Sequence, residues 1–295
     1  MTNGYAGALN LAVRALGLEG KAAWMEEPGF PLTRTALSLA GMRPVPVPVD
    51  GEGLDVAAGV AAARDAALAV VTPGQQAPLG MALSLARRIA LLDWARHTGA
   101  WVLEDDYLSE LQLAGRAAPA LAAVDHAAGG DARVLHAGTF SKTISPALRL
   151  GFLVVPAALA GHFGDVAACL SPAPAAPMQR AVAAFLAEGH YLRHLRRMKR
   201  LYAARRATLL RALDGLLPVR ATAGLSVVVS LPPGTNDIAI ANQALAFGMA
   251  PVPLSPWYAT DGNDQAGQLL GVTNLNGRHL AADCGRLAEL VARFG

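Results

Sequence analysis

Four short stretches of this 295-residue chain carry side chains whose types and spacing could do chemistry together. One is Gly138-Thr139-Phe140-Ser141-Lys142-Thr143, with Arg149-Leu150-Gly151 soon after. Another is the acidic run Glu104-Asp105-Asp106, followed by Tyr107. The others are the loop from Thr72 to Gly80 and the turn Glu27-Pro28-Gly29-Phe30. A lysine can form an imine with an aldehyde. A buried carboxylate can keep a heterocyclic nitrogen protonated. Small hydroxyl residues, an arginine and a helix N-terminus bind phosphate. Each residue also has a plainer reading. A loop lysine is usually solvated, Asp105 or Asp106 could cap the next segment, and Tyr107 and Phe30 could simply pack. Arg149 stands just before the apolar run LGFLVV, and a charge tucked there calls for a buried anion. The combination points to chemistry where no single residue does.

The elements that must position these residues follow from periodicity. Helical spacing of apolar residues is expected at 6–18, 32–40 and 84–98, with Ser84 as an N-cap. Strands are expected at 45–49, 67–72, 101–103, 133–137 and 150–155, with a short apolar run at 22–25. The strand at 45–49 alternates with prolines and is expected at a sheet edge. A helical stretch over 178–217 should break near Gly189. Beyond it, strands at 225–231, 250–254 and 269–272 alternate with helices at 237–247 and 280–294. This order predicts an α/β fold: a mostly parallel central sheet flanked by helices, then a small C-terminal α+β domain. The division is expected between 1–185 and 186–295. In open α/β sheets ligands bind at the carboxyl ends of strands, and all four stretches lie there.

Composition narrows the class. Hydrophobic residues make up 53% and charged residues 16%, which favours a well-buried core over a solvated chain. The formal net charge of +3 is small, and its densest cluster is the stretch from Arg193 to Arg206. Leucines and a tyrosine recur there at helical spacing, so it reads as a solvated helix face and not as a nucleic-acid surface. Cys169 and Cys284 lack metal-ligand spacing and read as buried thiols in a reducing compartment. No apolar run reaches membrane-spanning length, and the first residues do not have the form of a signal peptide. A cytoplasmic location with no membrane contact is expected.

The lysine segment with Arg149-Leu150-Gly151 resembles the cofactor-lysine motif of fold-type-I pyridoxal-phosphate enzymes of the aminotransferase class I/II. The nearest likeness is to the aminotransferase-like domain of MocR/GabR-type regulators. Glu104-Asp105-Asp106-Tyr107 with Ser109-Glu110, Glu27-Pro28-Gly29-Phe30, and Gly189-His190-Tyr191 with His194-Leu195-Arg196-Arg197 resemble that family too. The resemblance spans nearly the whole chain. It implies that Lys142 holds pyridoxal 5'-phosphate as a Schiff base and shuttles a proton. Asp105 is implied to pair with the ring nitrogen, Tyr107 to approach the ring's phenolic oxygen and Phe30 to stack on its face. Thr139, Arg149 and the backbone N–H groups of Tyr5 and Ala6 are implied to hold the phosphate. His190 and His194 are expected to be helix-face residues with no metal role.

The chain departs from the family pattern in places. It begins where the family's first large-domain helix begins, so the N-terminal arm and the regulators' winged-helix domain are expected to be missing from it. Ala77-Pro78-Leu79-Gly80 stands where many aminotransferases have Asn-Pro-x-Gly, leaving Gln75 or Gln76 as the available amides. Leu108 follows Tyr107 where a second Asp is usual. Leu269 stands where an arginine for the substrate carboxylate is expected. The reading is a transaminase moving an amino group between an amino acid or amine and a 2-oxo acid, as a homodimer that does not itself bind nucleic acid. The alternatives are an effector-sensing domain of a regulator without its DNA-binding part, or a truncated inactive relative.

Overall fold

Short apolar runs punctuated by glycine and proline become strands of two separate sheets, and the amphipathic segments between them become helices. The computed structural model describes residues 1–113, 115, 117–129, 132–170, 173–260, 265–275 and 277–294. The chain divides into two units. The larger holds residues 1–76, 81–112 and 116–195, and the smaller holds 77–80, 113–115 and 196–295.

The larger unit opens with α1 (Gly4–Leu16), β1 (Ala22–Glu27), α2 (Pro31–Leu39), β2 (Arg43–Asp50), β3 (Gly53–Leu54) and α3 (Val56–Ala62). It continues with β4 (Leu68–Val71), α4 (Leu85–Thr98), β5 (Trp101–Asp106), α5 (Leu121–Ala127), β6 (Val134–Thr139) and β7 (Gly151–Val154). Next come α6 (Ala160–Leu170), α7 (Ala176–Ala187) and α8 (His190–Leu213), with the unit boundary inside α8. The sheet order is β3-β2-β1-β4-β5-β6-β7. Strands β2, β1, β4, β5 and β6 run parallel, while β3 and β7 are antiparallel to their neighbours.

Alternation in each strand feeds two cores. Trp24, Val71, Val102 and Val134 pack with Leu91 and Trp94 of α4 and Leu121 of α5. Met25, Val70, Leu103 and Leu135 pack with Leu9 and Val13 of α1, Leu37 of α2 and Phe163 of α6. The indoles of Trp24 and Trp94 stack with centroids 3.8 Å apart. The proline-rich β2 is bordered on its outer side only by the two-residue β3, at Val49 and Asp50. Pro44, Pro46 and Pro48 register with alternate residues of β1. Their donorless nitrogens therefore point to the outer side, where the Pro48 carbonyl accepts from Asp55 N–H at 2.9 Å. Ser84 caps α4, accepting from Arg87 N–H at 3.2 Å. Gly189, at φ +72°, separates α7 from α8.

In the smaller unit, β8 (Val219–Ala223), β9 (Ser226–Ser230), α9 (Asp237–Ala244), β10 (Val252–Pro253), β11 (Gly267–Gly271) and α10 (Leu280–Phe294) follow α8. The sheet order is β10-β11-β9-β8, all antiparallel. Residues of α8, α9 and α10 pack on one face, against Val227, Val229 and Leu270. The opposite face carries Val228, Leu254 and Leu269, with Ala221, Trp257 and Tyr258 against them. No described helix is long and apolar enough to cross a membrane.

Candidate functional site

Strand alternation sorts the acidic run of β5. Leu103 lies in the core shared with α1, and Val102 in the core on the other face. By the same alternation Asp105 sits on the α1 face, and Glu104 and Asp106 on the opposite one. Glu104 accepts the N–H groups of Leu121 and Ala122 at 2.7 and 3.0 Å, and its Oε2 lies 3.0 Å from His136 Nδ1. Burial opposes its charge, yet these partners together hold its pKa below the usual range. Asp106 caps the following turn, accepting Ser109 N–H at 3.0 Å and Ser109 Oγ at 2.7 Å. The Asp105 carboxylate is buried, and none of these hydrogen bonds reaches it. Burial pushes its pKa well up, Glu26 and Asp106 add to that, and His136 and Lys142 oppose it. Asp106 is thus the cap, and Asp105 the carboxylate left for another partner.

Ala137 registers with Asp105 across β5 and β6, so Thr139, two residues on, shares the face of Asp105. The Thr139 hydroxyl donates to Ser141 Oγ at 3.0 Å and accepts Ser141 N–H at 3.2 Å, which tightens the turn into Lys142. Lys142 is exposed, and its charge reaches Asp105. The next peptide is anchored: His194 Nε2 donates to the Thr143 carbonyl at 2.9 Å. His194 is therefore more than a helix-face residue, while His190 stays at the surface, paired with Glu188 at 3.1 Å.

The start of the chain is clamped to the same strand end. Thr2 N–H donates to the Gly151 carbonyl at 2.9 Å, and Gly151 N–H to the Thr2 carbonyl at 3.0 Å. This sets the first turn of α1 beside Arg149, whose Nη2 lies 3.4 Å from the Asn3 carbonyl oxygen. Gly4 has φ +73°, and a Cβ there would stand 3.5 Å from Arg149 Nη2. The N–H groups of Tyr5 and Ala6 belong to this first turn, where no carbonyl of the helix can accept them. Arg149 was expected to be tucked in, but its side chain is exposed. It ends the turn Pro146–Leu148 in the left-handed conformation, at φ 48°, so the chain enters β7 with the guanidinium at the rim.

Tyr5, Glu26, Phe30, Thr33, Thr72 and Asp105 line one pocket on this face. Phe30 is half-exposed at the start of α2, and the Tyr5 hydroxyl lies 2.9 Å from Thr33 Oγ1. Tyr107 is partly covered, and burial together with Asp105 raises its phenol pKa. Glu26 is buried, and accepts Thr72 N–H at 3.0 Å and Thr72 Oγ1–H at 2.5 Å. Burial brings its pKa up to about 7. Gln76 is buried beside it, with Nε2 donating to the Pro28 carbonyl at 2.7 Å.

A family model described as aminotransferase class I and II matches residues 1–247. The chain belongs to this family. It is similar to the probable rhizopine catabolism regulatory protein MocR of Rhizobium meliloti, 34% identical over 281 residues, covering 94% of this chain and 56% of that one. It is also 30% identical to the 2-aminoadipate transaminase of Thermus thermophilus, over all of this chain and 74% of that one. Among solved structures, it resembles the α-aminoadipate aminotransferase of Thermus thermophilus, complexed with N-(5'-phosphopyridoxyl)-L-leucine. The TM-score is 0.85 at 28% identity, covering 99% of this chain and 76% of that one. The chain spans about half the length of the regulators it matches: 56% of MocR and 43% of TauR from Rhodobacter capsulatus.

In this aminotransferase-family chain the sequence pattern singles out neither Glu26 nor His136, and gives Thr72 and Ser141 no role of their own within the stretches that hold them. Glu26 reads as half of an acidic pair ahead of a turn, and only the fold turns its carboxylate onto Thr72. Leu269, at the position expected to be arginine, is 6% exposed and packs with Val228 and Leu254. The neighbouring Gln268 is wholly buried and bonds the Asp237 carbonyl at 2.6 Å. Of the two thiols expected to be buried, Cys284 is, but Cys169 is exposed, near the end of a helix whose buried side is Phe163.

Proposed function

We propose that the larger unit binds pyridoxal 5'-phosphate and that the protein is a transaminase of amino acids or amines. The carrying observation is Asp105, a buried carboxylate with no hydrogen-bond donor on it among the described residues, on the sheet face of Thr139 and within the field of Lys142. Such a group fits a cationic N–H, which offers both the charge and the hydrogen bond it lacks. Exposed Arg149, left-handed Gly4 and the first-turn N–H groups of Tyr5 and Ala6 suit a phosphate dianion.

When bound, the cofactor supplies an aldehyde and an electron-accepting ring. The residues supply the rest. Lys142 would hold the cofactor through its amine and would carry a proton at Nζ. Asp105 would keep the ring nitrogen protonated, Tyr107 would meet its phenolic oxygen, and Phe30 would cover its face. Thr139, Arg149 and the α1 N-terminus hold the phosphate. Residues 1–185 form the cofactor-binding domain and 186–295 the bridging helix and small domain. The active form is a cytoplasmic homodimer that takes a small amine or amino acid and touches neither membrane nor nucleic acid.

Leu269 favours a second reading. An apolar side chain packed on Val228 and Leu254 cannot clamp a carboxylate as an arginine fork does. An effector-sensing domain, which holds cofactor and amine without turnover, accommodates that change. A visible absorbance band on adding pyridoxal phosphate, absent in Lys142→Ala, is expected under both. Its absence in the unaltered protein would overturn the cofactor reading. Stoichiometric 2-oxo acid released from an amino-acid and amine panel marks a transaminase, and a stable spectral shift without 2-oxo acid marks a sensor.

A further inference from the structure

Arg88 of α4 is only 4% exposed, and nothing in the proposed chemistry uses it. A guanidinium stays charged inside a protein, so its burial is costly unless its nitrogens are met. Here each nitrogen is met by a carbonyl from a different stretch of chain. Nε donates to Leu83 at 2.9 Å, Nη1 to Pro119 at 2.8 Å and Nη2 to Pro73 at 2.8 Å. The planar fork reaches all three because its donors diverge, which a lysine ammonium on a flexible stem does not reproduce. The carboxylate of Glu104 acts on it from β5 with the opposite charge.

Two of these carbonyls close the loop that follows β4. Pro73 also accepts Leu83 N–H at 3.0 Å, so Arg88 lies across the base of that loop. Within it, Gln76 N–H donates to the Met81 carbonyl at 2.7 Å. Two contacts lead from here to the cofactor face. Thr72, beside Pro73, holds Glu26 at the end of β1. Gln76 Nε2 donates to the Pro28 carbonyl at 2.7 Å, in the turn that carries Phe30. The third carbonyl leads to Asp105. Pro119 lies just before Leu121 and Ala122, whose N–H groups are held by Glu104, the residue next to Asp105.

We infer that Arg88 is a positioning residue for the cofactor face: it fixes the loop after β4 and the start of α5 to one point, so that the Phe30 turn and the Asp105 strand keep one spacing before any ring arrives. This rests on the assignment of Phe30 and Asp105 to the cofactor ring. Arg88 touches no reacting atom and acts through Pro73, Gln76 and Glu104. A site ordered in advance binds more tightly, because less freedom is lost on binding.

The test compares wild type with Arg88→Lys, which keeps the charge and loses the fork. Amide hydrogen exchange, followed by NMR in the ligand-free full chain, reads the loop. The N–H groups of Thr72, Gln76 and Leu83 should exchange about tenfold faster in the variant, the worth of one hydrogen bond. Those of Leu9 in α1 and Leu103 in β5 should change by less than about twofold. Unchanged loop exchange overturns the inference. So does an equal rise at all of these amides, which marks a role in global stability alone. Pyridoxal phosphate then reads the site. An achiral ring shows circular dichroism in its visible band only when the protein holds it in one orientation. With cofactor at saturation, Arg88→Lys should keep the Lys142-dependent absorbance and lose most of that dichroism, with a dissociation constant raised about tenfold. Wild-type dichroism and affinity in the variant overturn the inference. If Arg88→Lys does not fold, Gln76→Ala takes its place. It cuts the link to Pro28 with Arg88 intact, should lose the dichroism likewise, and overturns the inference if the dichroism stays. Should no absorbance band form even in wild type, the cofactor reading fails, while the exchange pattern still decides whether Arg88 orders the loop.

Discussion

Nε2 of His194 donates to the carbonyl oxygen of Thr143 at 2.9 Å, so a side chain of α8 holds the peptide that follows Lys142. The buried hydroxyls of Thr143 and Tyr191 lie in the same region, with the Tyr191 phenol pKa raised by burial. His194→Ala should cost about 1 kcal/mol, the net worth of one hydrogen bond. It should also weaken cofactor uptake, because the lysine loop loses its anchor. His194→Gln, which retains an N–H donor, should recover much of both. Denaturant unfolding and titration with pyridoxal phosphate measure the two effects.

Gly138 lies under the ring of Phe152, and a Cβ there would approach Phe152 Cζ to 2.1 Å. Gly138→Ala should therefore destabilise by roughly 1–3 kcal/mol through overpacking at the end of β6. Phe152→Leu in the same chain should offset part of that loss. A double-mutant cycle on unfolding free energies would show a coupling of at least about 0.5 kcal/mol. Strict additivity would contradict the contact.

Arg149 and Gly4 make a separable pair of tests. Arg149→Ala should weaken pyridoxal 5'-phosphate binding about tenfold or more, the worth of a charged hydrogen bond. It should leave phosphate-free pyridoxal unaffected. Gly4→Ala places a side chain at φ +73° and should cost roughly 1–2 kcal/mol of stability. Equilibrium titrations with the two ligands, beside thermal unfolding, distinguish the phosphate effect from the backbone effect.

His136 and Glu104 form a partly buried pair at 3.0 Å, ionic when the imidazole is protonated, with a pH signature whose sign is fixed. Burial disfavours the imidazolium, but the bond to Glu104, with Asp106 and Glu110 nearby, raises the His136 pKa overall. That contribution is complete below the unfolded histidine value of about 6.5 and is lost as pH rises through the folded one. Glu104 has a depressed pKa, so its share is present above about 4.3 and is lost as pH falls through its folded value. The difference in Tm between wild type and His136→Gln should therefore be largest near pH 5.5 and smaller at pH 8.5 and above. A difference that grows with pH would contradict the pair.

The parallel sheet was legible because its strands are short apolar runs stopped by Gly and Pro, as at Leu68–Val71 before Pro73-Gly74. The helix break was legible in Gly189 for the same reason. Strand β8 was not, because the run VRATA shows weak alternation and is largely exposed. Strand β5 was read short, since three acids look like a loop. They extend the strand because Glu104 finds two backbone donors and a histidine on one face while Asp105 faces the other. The partners of Glu26 and His194 lie 46 and 51 residues away along the chain, beyond any local pattern.

The contact between Asn3 and Arg149 joins residues 146 positions apart. Closing a loop of that length costs roughly 4 kcal/mol of chain entropy, so this corner is among the last to assemble. A phosphate seated there would act as an ionic clasp between the head of the first helix and the far edge strand. Removing it should loosen Thr2 from Gly151 before the central strands part, and expose the amino-terminal turn to proteases first. Susceptibility of that turn to cleavage would then serve as a gauge of cofactor occupancy, with no reaction needed to read it.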